Sequence, residues 1–103
     1  MSRLNPTPPD QLCDDRGRPY FLWDEDTTLA EFAARLATGS EEERGLDIGK
    51  LLRQAKPDDV FRFVSPHEIV SLWPYVVRNL GQARARWETV FGLWEELGLV
   101  APR

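Results

Sequence analysis

The sequence has one cysteine, one histidine and few groups that could form a catalytic or metal centre. Cys13 cannot form an internal disulfide, and it lacks a second thiol for a cysteine-based zinc site. His67 has no orienting or metal-ligating partner at a suitable spacing. A phosphate-binding glycine loop, a nucleophile elbow and a zinc-protease motif are all missing. We therefore predict no catalytic site, no metal site and no cofactor.

Long apolar runs are also missing. No stretch approaches the roughly 20 apolar residues that a membrane helix needs, and prolines near the N-terminus stand where a signal peptide needs an apolar block. We expect a cytoplasmic protein without membrane association. The net charge of −4 is uneven, because residues 1–51 carry −5 and residues 52–103 carry +1. This balance disfavours nucleic-acid binding by bulk attraction.

A length of 103 residues suits one domain, and the 42% apolar share can supply its core. Residues 1–19 are rich in proline and poor in large apolar side chains, which predicts a flexible arm. Residues 20–103 are predicted to form a single helical domain. The acidic cluster Asp24–Asp26 lacks the spacing of a calcium loop, so we interpret it as solvated charge.

Local signals place five helices. Three capping boxes mark helix starts at Thr28, Ser40 and Ser65. Apolar periodicity and helix stops then predict helices over 28–38, 41–55, 58–64, 66–80 and 82–97, the fourth bent near Trp73 by the proline that follows it. The predicted fold is all-α, a compact bundle of about five short helices that resembles helical-repeat modules, with an extended N-terminal segment.

Glycines and apolar stripes give further expectations about these helices. Gly39 is expected to end the first helix in a left-handed conformation, and Gly98 to end the last in a Schellman motif. Gly45 and Gly49 are four residues apart in the second helix, which predicts close approach of another helix there. The predicted core stripes are Leu29, Phe32, Ala33 and Leu36 in the first helix, Ile48, Leu51, Leu52 and Ala55 in the second, and Trp87, Val90, Phe91, Trp94 and Leu97 in the last.

The run Tyr20-Phe21-Leu22-Trp23 supports two hypotheses. As an extended segment it would cap the bundle as core, with Trp23 mostly buried, and we favour this because exposed aromatic groups are costly. As a surface it would be a protein-binding hot spot, since Tyr, Trp and Arg dominate interface energies. Under the second hypothesis the acidic residues that follow it would add specificity.

A second candidate surface consists of arginines on either side of Gly81. Arg78, Arg84 and Arg86 lie in a stretch, residues 72–87, that contains no acidic residue. In a helix–turn–helix protein such residues would lie near phosphates, so a small nucleic-acid-binding regulator is the alternative function. The residues of the last helix look like core and leave few side chains for base contacts, so we do not favour it.

The order of three short motifs indicates a family resemblance. Tyr20-Phe21-Leu22-Trp23-Asp24, Gly49-Lys50-Leu51-Leu52-Arg53 and Asp58-Asp59-Val60-Phe61-Arg62-Phe63 make residues 19–98 similar to small bacterial helical proteins with an FLWD segment. Members of that family are often encoded beside abortive-infection-type nucleotidyltransferase toxins. The resemblance implies a non-enzymatic protein-interaction module, an antitoxin or accessory partner of the neighbouring enzyme. It places Tyr20, Trp23, Asp24 and Arg53 at the candidate partner-binding surface, while the oligomeric state and the partner's identity stay open.

Overall fold

Helix α3 (Glu41–Gln54) is the central element of the computed structural model, which describes residues 6–102. It packs against α2 (Leu29–Thr38), α4 (Pro57–Val60) and α6 (Trp73–Val76), and against three 3-10 turns at Tyr20–Leu22, Val77–Asn79 and Gly81–Ala83. The other helices are α1 (Pro9–Leu12), α5 (Pro66–Ser71) and α7 (Arg84–Glu96). Residues 6–102 contain no β-strand beyond one isolated bridge between Cys13 and Pro19, so the all-α prediction is confirmed.

The three predicted capping boxes are confirmed. In each, the hydroxyl of the N-cap residue accepts a hydrogen bond from a backbone amide three residues later, and the glutamate there accepts one from the N-cap amide. The pairs are Thr28 with Glu31, Ser40 with Glu43 and Ser65 with Glu68. Each box satisfies two amides that have no partner inside the helix, which fixes where α2, α3 and α5 begin.

The close approach expected at Gly45 and Gly49 is confirmed. A Cβ atom at Gly45 would lie 2.2 Å from Cβ of Tyr75, and one at Gly49 would lie 2.6 Å from Cβ of Asn79. No side chain fits at such distances, so the two glycines let α6 and the turn after it lie directly on the backbone of α3. This contact sets the spacing at the centre of the bundle.

The second half of the chain is more broken than predicted. The helix expected over 58–64 ends at Val60, and the helix expected over 66–80 divides into α5, α6 and a 3-10 turn. Pro74 has no amide hydrogen to donate, and the interruption at Leu72 lies just before it, as the predicted bend requires. The last helix begins at Arg84, after a 3-10 turn that replaces its predicted first residues.

The two predicted glycine stops have different outcomes. Gly98 has φ of +72°, and the amides of Gly98 and Leu99 donate to the carbonyls of Glu95 and Trp94, which is the expected Schellman motif. Gly39 has φ of −70°, so the left-handed stop predicted there is wrong. The capping box of α3 begins at the very next residue and needs the chain to arrive extended rather than reversed.

Aromatic side chains fill much of the core. Phe21, Phe32 and Phe63 meet edge to face with ring centroids 5.5 to 6.0 Å apart. A second cluster joins Phe61, Trp73, Trp87, Phe91 and Trp94. The predicted stripe of α3 is buried throughout, whereas Ala33 and Leu97 are exposed, contrary to prediction. Ala33 and Leu97 lie at the edges of their helical stripes, where no element within residues 6–102 covers them.

The stretch assigned by sequence to a flexible arm contacts the helices where the structure describes it. Leu12 belongs to the buried core, and the Thr7 side chain is buried beside α4. Residues 1–5 of the predicted arm, and residue 103 of the predicted domain, lie outside the described residues. Within residues 6–102, no helix has both the length and the apolar character needed to cross a membrane.

Candidate functional site

Trp23 projects from the surface, and 74% of it is exposed. It follows the 3-10 turn Tyr20–Leu22, in which Phe21 and Leu22 are buried. The predictions of an extended segment and of a mostly buried Trp23 are therefore both wrong. The physical reason is the turn itself, because three residues per turn direct Phe21 and Leu22 inward and leave the next side chain outside. The aromatic run is thus part core and part surface.

The Tyr20 hydroxyl forms its hydrogen bonds within the protein. Its hydroxyl donates to Oδ2 of Asp59 at 2.6 Å and accepts from the backbone amide of Lys56 at 2.8 Å. Asp59 is fully buried and also accepts from the amide and the hydroxyl of Thr7, at 2.7 and 2.6 Å. Burial opposes the charged form, but the hydrogen bonds from Thr7 and Tyr20 and the charge of Arg62 outweigh it and lower the pKa of Asp59. Tyr20 therefore positions the turn.

The acidic residues after Trp23 are paired with cations from the helices. Lys50 contacts Glu25 and lies 3.0 Å from Oδ2 of Asp24. Arg35 bridges Glu25, at 2.8 Å, and Asp47, at 2.6 Å. The interpretation of this cluster as solvated charge is wrong for Glu25, whose side chain is 23% exposed, whereas Asp24 and Asp26 are exposed.

The pKa of Glu25 reflects this pairing. Burial alone would raise it, but hydrogen bonds from Lys50, Thr27 and Arg35 outweigh burial and lower the pKa from 4.5 to about 2. Glu25 is therefore ionised at neutral pH. Together with Gln54, whose amide donates to the Phe21 carbonyl at 2.6 Å, the ion pairs fasten the Trp23 segment to α2 and α3.

Trp23, Asp24 and Arg53 lie along two adjoining grooves. One, of about 470 Å³, is lined by Trp23 and Tyr20 together with residues of the N-terminal stretch. The other, of about 580 Å³, is lined by Asp24, Arg53 and the ion pairs. Glu25 borders both grooves, so the structure brings the four predicted partner-binding residues to one region, with Tyr20 partly buried at its base.

Sequence reasoning missed the cations that organise this region. Arg35 was assigned no role, and Lys50 was named only as part of a family motif, although Asp47 gave a signal. Asp47 lies four residues before Leu51, on the apolar stripe of α3, and it is only 6% exposed. A buried acid in an apolar stripe requires a cationic partner, and Arg35 is that partner.

The three arginines of the alternative site have different surroundings. The Arg78 guanidinium stacks over the Tyr75 ring at 5.3 Å, and Arg84 pairs with Glu88 at 3.1 Å. Arg86 borders an apolar groove between α7 and the residues around α4. Arg78 and Arg86 line different grooves, so the structure does not assemble the three residues into one basic surface.

The remaining reactive side chains are isolated within the described part of the chain. His67 is exposed in the first turn of α5. Burial and the negative charge of Asp14 raise the pKa of the Cys13 thiol, which lowers its thiolate fraction. Among residues 6–102, no three acidic, histidine or cysteine side chains are placed to hold a metal ion.

Comparison with family models, with curated proteins and with solved structures finds no match to this chain.

Proposed function

We propose that this protein is a non-enzymatic protein-interaction module whose partner binds over Trp23. The observation that carries the proposal is the 74% exposure of a tryptophan that follows two buried residues. Exposing so large an apolar side chain is unfavourable in water, and Trp is among the residues that contribute most to interface energies. Arg53 and Asp24, on the adjoining groove, add charged contacts at the edge of the same surface.

The contacts that fix the backbone around Trp23 support this role. Gln54 holds the carbonyl of Phe21, Asp59 holds the Tyr20 hydroxyl, and Lys50 pairs with the acids that follow the tryptophan. A side chain whose backbone is already fixed loses less conformational entropy on binding, so more of its contact energy contributes to affinity. The grooves on either side give a partner side chain somewhere to insert.

The partner we propose is an enzyme encoded beside this protein, on the family resemblance of the sequence. In that case the chain acts in the cytoplasm as an antitoxin or accessory subunit of a nucleotidyltransferase-type toxin. Binding over the Trp23 surface would neutralise the toxin by covering it, with no chemistry performed by this chain. The family resemblance of the sequence supports the partner's class, and the exposure of Trp23 supports the place of contact.

Co-expression with the neighbouring enzyme tests the proposal. We expect the two proteins to elute together in size-exclusion chromatography and the enzyme's toxicity to fall. Trp23→Ala should weaken binding by about 30-fold, the effect of losing a hot spot of roughly 2 kcal/mol. Leu99→Ala is the matched control, because Leu99 is also exposed, at 58%, and lines neither of the two grooves at Trp23. Separate elution with unchanged toxicity would reject the proposal.

The alternative function is nucleic-acid binding through Arg78, Arg84 and Arg86. The separate surroundings of the three arginines give it less support than the Trp23 surface has. If it holds, the wild-type protein should shift DNA or RNA at low salt, and replacing all three arginines with alanine should weaken binding and flatten its salt dependence. The absence of any shift by wild-type protein at low salt would remove this alternative.

A further inference from the structure

The outer face of α7 carries an apolar row that no described element covers. Leu93 and Leu97 are 53% and 62% exposed, and Leu99, just past the helix, is 58% exposed. Val90 is partly exposed, and Arg86 lies one turn before it. The positions 86, 90, 93 and 97 are separated by four, three and four residues, which is the spacing of a seam between two paired helices.

A small apolar groove lies beside this row. It has a volume of about 210 Å³ and is lined chiefly by Phe61, Trp87, Val90 and Trp94, with Arg86 at its border. Arg86 and Val90 therefore belong to both the row and the groove. A leucine that approached the Arg86 end of α7 from outside would meet this groove directly.

The charged side chains at the two ends of α7 have the opposite sign to those that a helix dipole favours. Arg84 and Arg86 lie in the first turn, where no acid is present, and Glu95 and Glu96 lie in the last, where no base is present. A helix dipole favours the reverse arrangement, which α3 follows, with acids first and Arg53 last. Neither Arg86 nor Glu96 has an ion-pair partner within residues 6–102. The arrangement is unfavourable within one chain, and it complements a second helix that runs in the opposite direction.

We infer that two copies of this chain pair through the outer faces of α7, antiparallel about a two-fold axis near the middle of the helix. Val90 then lies opposite the partner's Leu93, and Arg86 lies opposite the partner's Leu97 and close to the partner's Glu96. Two-fold symmetry repeats each contact, so Leu97 of each copy enters the Phe61–Trp94 groove of the other. The opposed helix dipoles are also aligned favourably.

The amount of apolar surface indicates a reversible dimer. A standard interface buries about 800 Å² of each partner, and the leucines with Val90 cannot supply that area without the groove. We therefore expect dissociation on dilution rather than an obligate dimer. This inference does not depend on the Trp23 surface, because no residue that lines the groove beside α7 lines the two grooves at Trp23.

Sedimentation velocity of the full chain, from about 5 to 500 µM, tests the inference. In a reversible equilibrium the fraction of dimer, and with it the average mass, rises with protein concentration. Leu97→Glu should leave a monomer throughout this range. Leu46→Glu introduces the same charge at another exposed leucine and should leave the dimer intact. A wild-type protein that remains monomeric at the highest concentration would overturn the inference.

A charge exchange tests the antiparallel arrangement. Arg86→Glu places a carboxylate against the partner's Glu96, and Glu96→Arg places a guanidinium against the partner's Arg86. Each single variant should raise the dissociation constant about tenfold, because two like-charge contacts replace two pairs. The double variant should recover wild-type dimerisation. Circular dichroism shows that each variant is folded, and a double variant as weak as the singles would contradict this arrangement.

Discussion

The carboxylate of Glu25 links the loop after Trp23 to two helices. Lys50 of α3 and Arg35 of α2 both contact it, and Arg35 continues to the buried Asp47. An ion pair on an open surface contributes little, but these side chains are partly enclosed and share partners. The pairing keeps Glu25 ionised and ties the loop after Trp23 to two helices at once.

Replacing Glu25 with Gln should make the protein less stable at neutral pH and less sensitive to acid. The folded-state pKa of Glu25 is about 2 and its ordinary value is 4.5. A lowered pKa contributes stability that is complete above the ordinary value and is lost as the pH falls from about 4.5 towards 2. We expect Glu25→Gln to lower the free energy of unfolding by on the order of 2 kcal/mol at pH 7, with the difference from wild type vanishing near pH 2.

Urea unfolding at a series of pH values between 7 and 2.5 measures this difference. Glu42→Gln is the control, because Glu42 is exposed in the first turn of α3 and takes part in no ion pair within residues 6–102. The control should follow the wild-type pH profile closely. If Glu25→Gln differs from wild type by the same amount at pH 7 and at pH 3, the ion pairs do not stabilise the turn as described.

Trp23 shows where sequence reasoning stops at this scale. The sequence places an apolar run before an acidic cluster, and both a buried and an exposed tryptophan agree with that pattern. The outcome depends on the Tyr20–Asp59 hydrogen bond, which joins residues 39 positions apart and fixes the turn. No local signal specifies such a contact. For this reason Trp23 was predicted to be buried, whereas it is exposed.

At the scale of elements, the contact of α3 with α6 and with the turn after it depends on two glycines, Gly45 and Gly49, which have no side chain. Alanine in place of an exposed helical glycine stabilises a protein by about 1 kcal/mol, because glycine has the poorer helix propensity of the two. At Gly45 the added Cβ would lie 2.2 Å from Cβ of Tyr75 and 3.0 Å from its backbone carbonyl carbon. The helices must then move apart, and the loss of packing exceeds the gain in propensity.

We expect Gly45→Ala to destabilise the protein by about 1–3 kcal/mol, the range for overpacked cores, and Gly49→Ala to act in the same direction. Thermal or urea unfolding measures the change. Leu46→Ala, one position along α3 and exposed, should remain within about 0.5 kcal/mol of wild type. A Gly45→Ala variant more stable than wild type would show that α6 does not lie against the backbone of α3 as described.

Helix boundaries were predictable where a short stretch of sequence determines them. The capping boxes at Thr28, Ser40 and Ser65 use side chains and amides three residues apart, so their patterns are complete in the sequence. The faces of α7 were less predictable. Its apolar residues extend around more than one side, and periodicity alone does not show that Trp87 packs inward while Leu97 stays exposed.

At the scale of the whole molecule, the two proposed surfaces are independent. The Trp23 grooves are lined by residues between Gln11 and Arg53, and the groove beside α7 is lined by residues between Pro57 and Trp94. Apart from Arg53, the partner surface therefore lies in the acidic half of the chain, residues 1–51, and the surface for a second copy lies in the other half. Both can be occupied at the same time if neither partner reaches across the bundle.

This independence predicts a complex with two copies of each protein. At concentrations that favour the dimer, light scattering of the co-purified complex should give a mass of two copies of this chain and two of the enzyme. Leu97→Glu should halve that mass and leave the affinity of one chain for one enzyme molecule in solution unchanged. On a surface densely coated with enzyme, the same variant should dissociate faster than wild type, because it loses bivalent attachment. If Leu97→Glu also weakens the one-to-one affinity in solution, the two surfaces are coupled and the molecule does not divide in this way.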